Sequence, residues 1–381
     1  MPRGLGAVVL VIAVLVVVGL VVLWPRTPVD IDLTTFGFAE DVVSAEVVAS
    51  ESMGCGYDPS SDCRVTQFQI TDPASVDAGE IVDFELPEEP GQPVFEAGDR
   101  VFLYAVDDGA GGTNYQYADR DRRILLGVVA LVFAVAVVVL GRWRGVAALV
   151  GLALSLGLLV GFILPAILAG TDAVLAALVG GGAIALISLY LAHGYTPMTH
   201  VATLGVVFAL LLTTGLSWIV VKLAEFTGLV EEEAFYLLSI SDFDLNGLLL
   251  AGIVLGAIGA LDDVTVTQAS AVWEVRKADP TMNAADLYQA GIRVGRDHIV
   301  STVNTLLLAY AGASLPLLML FTLAAQPLGV VASNEVIAVE IVRTLVGSIG
   351  LVAAVPATTW LGARLAAVAT ADTDQTANTR T

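Results

Sequence analysis

Two adjacent carboxylates, Asp262 and Asp263, interrupt an otherwise apolar stretch, GIVLGAIGALDDVTVTQAS. A carboxylate within a bilayer is costly, so it persists where it faces water, pairs with another group or binds a cation. With 3.6 residues per helical turn, Asp263, Thr267 and Ser270 share one face, and Asp262 points about 100° away. Because all the ligands on this face are oxygen atoms, it predicts a site for a proton or a hard cation.

A helix that ends near Leu261 is the alternative. Asp263 lies 17 residues after Asn246, which is about 25 Å at 1.5 Å per residue. That depth approaches the thickness of a hydrocarbon layer of about 30 Å. The two carboxylates would then lie at the membrane surface, where acidic side chains cost little, and the sequence leaves both interpretations open.

A second polar stripe opens the next apolar stretch, GRDHIVSTVNTLLLAYAGASLP. We expect it to face Asp263 across a helix pair, and Pro316 weakens the helix that carries it. Interrupted polar helices expose oxygen atoms to ions in many transporters, whereas ordinary interhelical hydrogen bonding is the alternative. Together with Asp262, Asp263, Thr267 and Ser270, the predicted ion or substrate pathway therefore contains His298, Ser301, Asn304, Thr305 and Tyr310.

The remaining polar residues give weaker signals. His193 and His200 flank a turn at a spacing that matches no metal motif. Polar residues occupy alternate positions just before the helix that carries the two carboxylates: Asp242, Asp244 and Asn246. They could bind a cation or cap the helix, and we expect Asp244 or Asn246 to be the cap. No catalytic motif is present, so no enzyme activity and no cofactor are predicted, and a metal is left open.

Composition points to the lipid bilayer as the main partner. Hydrophobic residues make up 56% of the 381 residues and charged residues 14%, against about 25% charged residues in soluble domains. The net charge is −21, and the few scattered basic residues exclude a nucleic-acid footprint.

Hydropathy predicts a mainly α protein, a polytopic transmembrane helical bundle of about eight spans with an inserted small extracytoplasmic β domain. The predicted parts are an N-terminal signal-anchor helix (1–24), a β-barrel or sandwich domain (25–123), a seven-helix membrane domain (124–366) and a disordered cytoplasmic tail (367–381). The eight apolar spans are Leu5–Trp24, Ile124–Leu140, Ala147–Leu168, Ala173–Ala192, Val201–Val221, Gly247–Ser270, His298–Phe321 and Ile341–Leu365.

Short alternating runs separated by turn residues indicate the β domain: Val42–Ala49, Val65–Ile70, Ile81–Leu86 and Val101–Val106. The two cysteines, Cys55 and Cys63, lie within this polar region. Two thiols do not complete a tetrahedral zinc site, so outside the cell we expect a disulfide; a pair of free thiols is the alternative.

The distribution of Lys and Arg in short loops predicts the orientation. With both termini in the cytoplasm of a bacterial plasma membrane, Arg142, Arg144, Arg276 and Lys277 lie inside. The acidic segment 231–244 then lies outside with the β domain.

The stretches GAIGALDDVTVTQAS and GRDHIVSTVNTLLLAYAGASLPLLML resemble the two most characteristic segments of the YibE/F-like family of bacterial membrane proteins. The resemblance is specific from about Gly247 to Phe321. It implies one N-terminal span, an extracytoplasmic β domain and about seven further spans. Asp263 matches the acid usual in the family, as Asn304, Thr305 and Tyr310 match its polar stripe, whereas the position of Asp262 is often apolar there. The family supplies no secure biochemical activity.

Two functions follow as hypotheses. The first is an integral membrane permease that moves a small ion or solute between the sixth and seventh spans. The second is a non-transporting assembly or signalling protein, whose outer β domain binds an envelope protein partner or which associates as a homo-oligomer.

Overall fold

The computed structural model describes residues 3–26, 41–55, 62–88, 91–107, 112–230, 232–240 and 243–378. The chain divides into two compact units: residues 30–136 form one, and residues 1–29 with 137–381 form the other. The first unit therefore extends beyond the boundary predicted at residue 123, because the beginning of the helix that follows the sheet clusters with it.

The first unit contains a five-stranded antiparallel sheet of order β3-β2-β1-β4-β5. Alternate residues of β1, such as Val43, Ala45 and Val47, enter its core and pack with Phe68 and Phe95. Four strands coincide with the alternating runs of the sequence, and the fifth, β5, is an additional edge strand. The strands are β1 (Asp41–Gly54), β2 (Asp62–Ile70), β3 (Ile81–Pro87), β4 (Arg100–Asp107) and β5 (Thr113–Arg120).

A disulfide joins Cys55 to Cys63 where β1 and β2 meet. Both cysteines are buried, and their Cα atoms are 4.9 Å apart. The bond closes the connection between the two longest strands of the sheet.

The chain is mostly helical. The helices are α1 (Arg3–Leu23), α2 (Arg123–Gly141), α3 (Trp143–Leu158), α4 (Leu164–Leu168), α5 (Ala173–His193), α6 (Pro197–Leu223), α7 (Glu232–Ile240), α8 (Leu245–Ala278), α9 (Ala284–Ala313), α10 (Leu315–Leu323), α11 (Leu328–Ser333) and α12 (Glu335–Asn378), with a π-helical turn, Leu159–Ile163, between α3 and α4.

Seven helical segments within the described ranges are long and apolar enough to cross a membrane: α1, α2, Trp143–Leu168, α5, α6, α8 and Glu335–Val368. In addition, α9 and α10 form a pair bent by 65°. Ser314 ends α9, and Pro316 occupies the first turn of α10, so the break falls where the proline was expected to weaken the helix.

Close packing of α6, α8 and α12 forms the centre of the helical unit. A Cβ atom at Gly205 would collide with Thr358 Oγ1, and one at Gly350 would collide with Thr213 Oγ1. Small residues opposite hydroxyl-bearing residues let helix backbones approach closely in membrane proteins.

Asp244 caps α8, because its Oδ1 accepts a hydrogen bond of 3.0 Å from Gly247 N, as the sequence predicted. Asp242 lies outside the described residues. The helix then continues for 34 residues, so the alternative that it ends near Leu261 is wrong: no Gly or Pro follows that would stop it before Asp279.

The C-terminal helix also runs further than expected. The tail 367–381 was predicted to be disordered from residue 367, yet α12 continues through Asn378. The segment LAAVATADTDQTAN contains neither Gly nor Pro, so its backbone has no strong signal to stop.

Candidate functional site

The two adjacent carboxylates of α8 face different neighbours. The Asp263 side chain is 68% exposed, whereas Asp262 is half-buried and its Oδ2 accepts a 2.9 Å hydrogen bond from Ser188 Oγ of α5. Successive residues of a helix point about 100° apart. The carboxylates therefore belong to two separate environments.

Asp263 faces α9. Its Oδ2 lies 3.7 Å from His298 Nε2, which exceeds the length of a direct hydrogen bond. His298 Nε2 is itself buried and has no hydrogen-bond partner within the described part of the chain. A proton, a water molecule or a small cation between the two side chains would satisfy both.

A stripe of glycines continues from Asp263 along the same face of α8. Gly252, Gly256 and Gly259 precede the carboxylate at intervals that keep them on one side of the helix, and all three are exposed. A Cβ atom at Gly256 would lie 3.0 Å from Tyr310 Oη of α9. Because glycine has no side chain, the phenol group of Tyr310 in α9 can approach the α8 backbone closely.

Thr267 and Ser270 continue the stripe beyond Asp263 and are half-buried. The α9 residues are less uniform. Ser301, Asn304 and Thr305 are exposed, and Thr305 Oγ1 donates to the Ser301 carbonyl oxygen at 3.0 Å.

The predicted α9 stripe does not form one surface. Ile299 and Leu306 pack against the core of the bundle, and Asn304 lies about 140° around the helix from Ile299. The structure therefore brings His298 and Tyr310 to α8, while Asn304 points away from the core.

An ion pair in α12 adds charged groups that the sequence reasoning missed. Arg343 Nη1 lies 2.8 Å from Glu340 Oε1, and the guanidinium carbon is 5.7 Å from the centre of the Tyr310 ring. A Cβ atom at Gly252 would lie 3.9 Å from Arg343 Nη2. The sequence did contain a signal for this pair, because Glu340 and Arg343 are opposite charges three residues apart at the start of an apolar run. The predicted span began at Ile341, however, and left Glu340 outside.

Gln268 ties three helices together on the buried side of α8. Its Nε2 donates hydrogen bonds of 2.7 Å to the Gly291 carbonyl oxygen and to Thr359 Oγ1. A Cβ atom at Gly295 would lie 2.7 Å from Gln268 Oε1. This amide therefore fixes α9 and α12 against α8 at the level just beyond Asp263.

His193 and His200 do not form a metal site with other residues of the described segments. His200 is buried, and its Nδ1 lies 2.7 Å from Tyr190 Oη. The one group of His, Cys, Asp and Glu that the described segments bring within metal-binding distance is Cys55, Cys63 and Glu85. Since the two sulfur atoms are bonded to each other, no thiolate is left there to bind a metal.

Comparison with known proteins gives one family. The family model described as YibE/F-like protein matches residues 129–368, which is more than half of the 381 residues. The chain therefore belongs to the YibE/F-like family, as its two characteristic segments indicated. No curated protein and no solved structure matches the chain.

Proposed function

We propose that this member of the YibE/F-like family is a multi-pass membrane permease that moves a small ion, a proton or hard cation, along the Asp263 face of α8. The apolar helices support a membrane location. The observation that carries the proposal is that Asp263 Oδ2 and His298 Nε2 face each other at 3.7 Å, too far apart for a direct hydrogen bond.

The glycine stripe of α8 supports the route. Because the glycines have no side chains, the backbone of this face is accessible and there is space beside Tyr310 and Arg343. Asp263 lies at the end of the same face. Oxygen ligands favour a proton or hard cation over a soft metal. Ion movement of this kind requires no catalytic group.

In the arrangement we propose, α1 to α12 cross a bacterial plasma membrane eight times, with the bent pair of α9 and α10 as one crossing. Both termini are cytoplasmic. The sheet of residues 41–120 and the acidic segment 231–244 lie outside, as the positions of Lys and Arg favour.

Ion flux in liposomes tests the proposal. Purified wild type and Asp263→Asn would be reconstituted and challenged with a pH gradient and with mono- and divalent cations. Asp286→Asn is the matched control, because it makes the same charge change at an exposed residue of the first turn of α9. We expect flux in the wild type and in the control and its loss in Asp263→Asn; equal flux in all three would refute the role of Asp263.

A second candidate function is supported by the dense contact of α6, α8 and α12. Gly205 and Gly350 lie directly against threonine side chains, as expected of a rigid anchor. In that case the β unit would bind an envelope protein, or the chain would associate with itself. A well-folded wild type without flux of any ion would favour this second function.

A further inference from the structure

A cleft on a neighbouring side of α8, about 100° around the helix from Asp263, contains the second carboxylate. It has a volume of about 430 Å³ and lies between α3, α5 and α8, within the range of about 300–1,000 Å³ that is typical of ligand sites. Its wall is mostly aliphatic, with Leu152, Leu255 and Ile258 among the lining residues, and Asp262 provides the carboxylate.

Asp262 is incompletely satisfied there. Ser188 Oγ donates to Oδ2 at 2.9 Å, while Oδ1 is buried without a hydrogen-bond partner in the described part of the chain. No Lys, Arg or His lines the cleft, and none of the ion pairs formed by the described residues includes Asp262. The cleft therefore combines an apolar wall with an uncompensated negative group.

The depth of the cleft suits an amphiphilic ligand. Ser188 lies five residues before His193, where α5 ends, so it is about 7.5 Å from the end of the helix. The π-helical turn Leu159–Ile163 begins at a cleft residue, Leu159, and such turns widen a helix locally and are frequent at functional sites. An apolar molecule with one charge can reach this depth from the membrane surface, whereas a hydrated ion loses its water there.

We propose that this cleft binds a lipophilic organic cation, whose apolar body contacts the α3 and α5 side chains and whose charge pairs with Asp262. Charge complementarity is the reason, because attraction between opposite charges is strongest where the surroundings are apolar. The cleft borders the glycine stripe at Gly259, but the Asp262 side chain points about 100° away from Asp263, and binding there does not depend on ion transport.

Binding of radiolabelled tetraphenylphosphonium to the purified full chain in nanodiscs tests the proposal. Wild type is expected to bind it saturably and Asp262→Asn at least about tenfold more weakly, a loss in the range expected when one partner of a desolvated charge pair is removed. Asp263→Asn should bind within about twofold of wild type, because that carboxylate faces α9. Tetraphenylborate, which has the same shape and the opposite charge, should not bind saturably.

Ser155→Leu supplies a second variant that fills the cleft without altering charge. Ser155 lines the cleft, and its Oγ donates to the Gly151 carbonyl oxygen within α3. In an α-helix this carbonyl also accepts the backbone N–H of Ser155, so the helix keeps its backbone bonding without the hydroxyl. We expect this variant to lose phosphonium binding and to elute as wild type does in size exclusion.

Three results would overturn the proposal: equal binding by Asp262→Asn and wild type, equal binding of the borate anion, or no binding to folded wild type. Each result is independent of ion flux, so failure here and failure of the permease proposal are distinguishable.

Discussion

Asp263 of α8 and His298 of α9 face each other with 3.7 Å between Oδ2 and Nε2. The two residues are 35 positions apart in the sequence, and a turn between antiparallel helices brings them to the same level. This distance is too long for a direct hydrogen bond and short enough for one bridging ion or water molecule.

A double-mutant cycle tests whether this pair acts as a unit. Asp263→Asn and His298→Gln are each expected to lower ion flux in liposomes about tenfold or more, and the double variant should be no worse than the poorer single variant. Non-additivity of this kind is typical of residues that share a partner. Independent, multiplicative effects would show that the two side chains do not hold a common ion.

Gly295 provides a test of packing in α9. A Cβ atom there would lie 2.5 Å from Val355 Cγ1 and 2.7 Å from Gln268 Oε1, so Gly295→Ala is expected to cost about 1–3 kcal/mol through overpacking. Gly312→Ala, in the same helix, meets nothing within 4 Å and is expected to be close to neutral. Unfolding of the two variants in mixed micelles would measure the difference, and equal stabilities would contradict the packing.

The ion pair of α12 predicts a compensating pair of substitutions. Glu340→Gln or Arg343→Gln alone should destabilise the protein by roughly 2 kcal/mol, because each removes one charge of an ion pair that is largely shielded from water. This is less than the penalty for a fully buried pair, since the side chains are 18% and 26% exposed. The double variant should be more stable than the sum of the two losses implies, as measured by unfolding in mixed micelles; strict additivity would contradict a direct interaction.

Asp121 predicts a pH dependence in the unit that contains the sheet. Hydrogen bonds from the Arg123 guanidinium and from the Arg123 backbone N–H lower the pKa of Asp121 from 3.8 to about 2. A carboxyl group with a lowered pKa in the folded state stabilises that state above its unfolded pKa, and the contribution disappears as the pH falls from about 4 to about 2.

Titration of the Asp121 carboxyl carbon by NMR would measure this shift. We expect a midpoint near 2 in the wild type, and in Arg123→Gln a midpoint closer to 3.8 because the guanidinium no longer donates. A wild-type midpoint already near 3.8 would mean that the hydrogen bonds do not persist in solution.

Local patterns predicted much of the fold. Four strands, the cap at Asp244 and the break near Pro316 follow from alternation, capping chemistry and the proline ring, all of which act within a few residues. The edge strand β5 was missed because TNYQYADR carries polar residues on its outer positions, and pairing with β4 supplies the order that its own sequence does not.

The site was harder to predict because it depends on how helices rotate against one another. The helical wheel separated Asp262 from Asp263, and the sequence placed His298 in the stripe expected to face Asp263. The contact of Ser188 with Asp262 depends on tertiary packing and had no sequence signal. For the same reason, Asn304 was predicted to line the pathway, whereas in the structure it is exposed and points away from the core of the helical bundle. A hydropathy window also set the start of the last span too late to include Glu340.

The length of α8 has a mechanical consequence. Its 34 residues span about 51 Å at 1.5 Å per residue, well over the hydrocarbon thickness of about 30 Å. Because the helix is unbroken, a tilt of about 10° around its Leu245 end would displace Ala278 sideways by about 9 Å. Because Gln268 joins α8 to α9 and α12, a tilt of α8 would move these two helices with it.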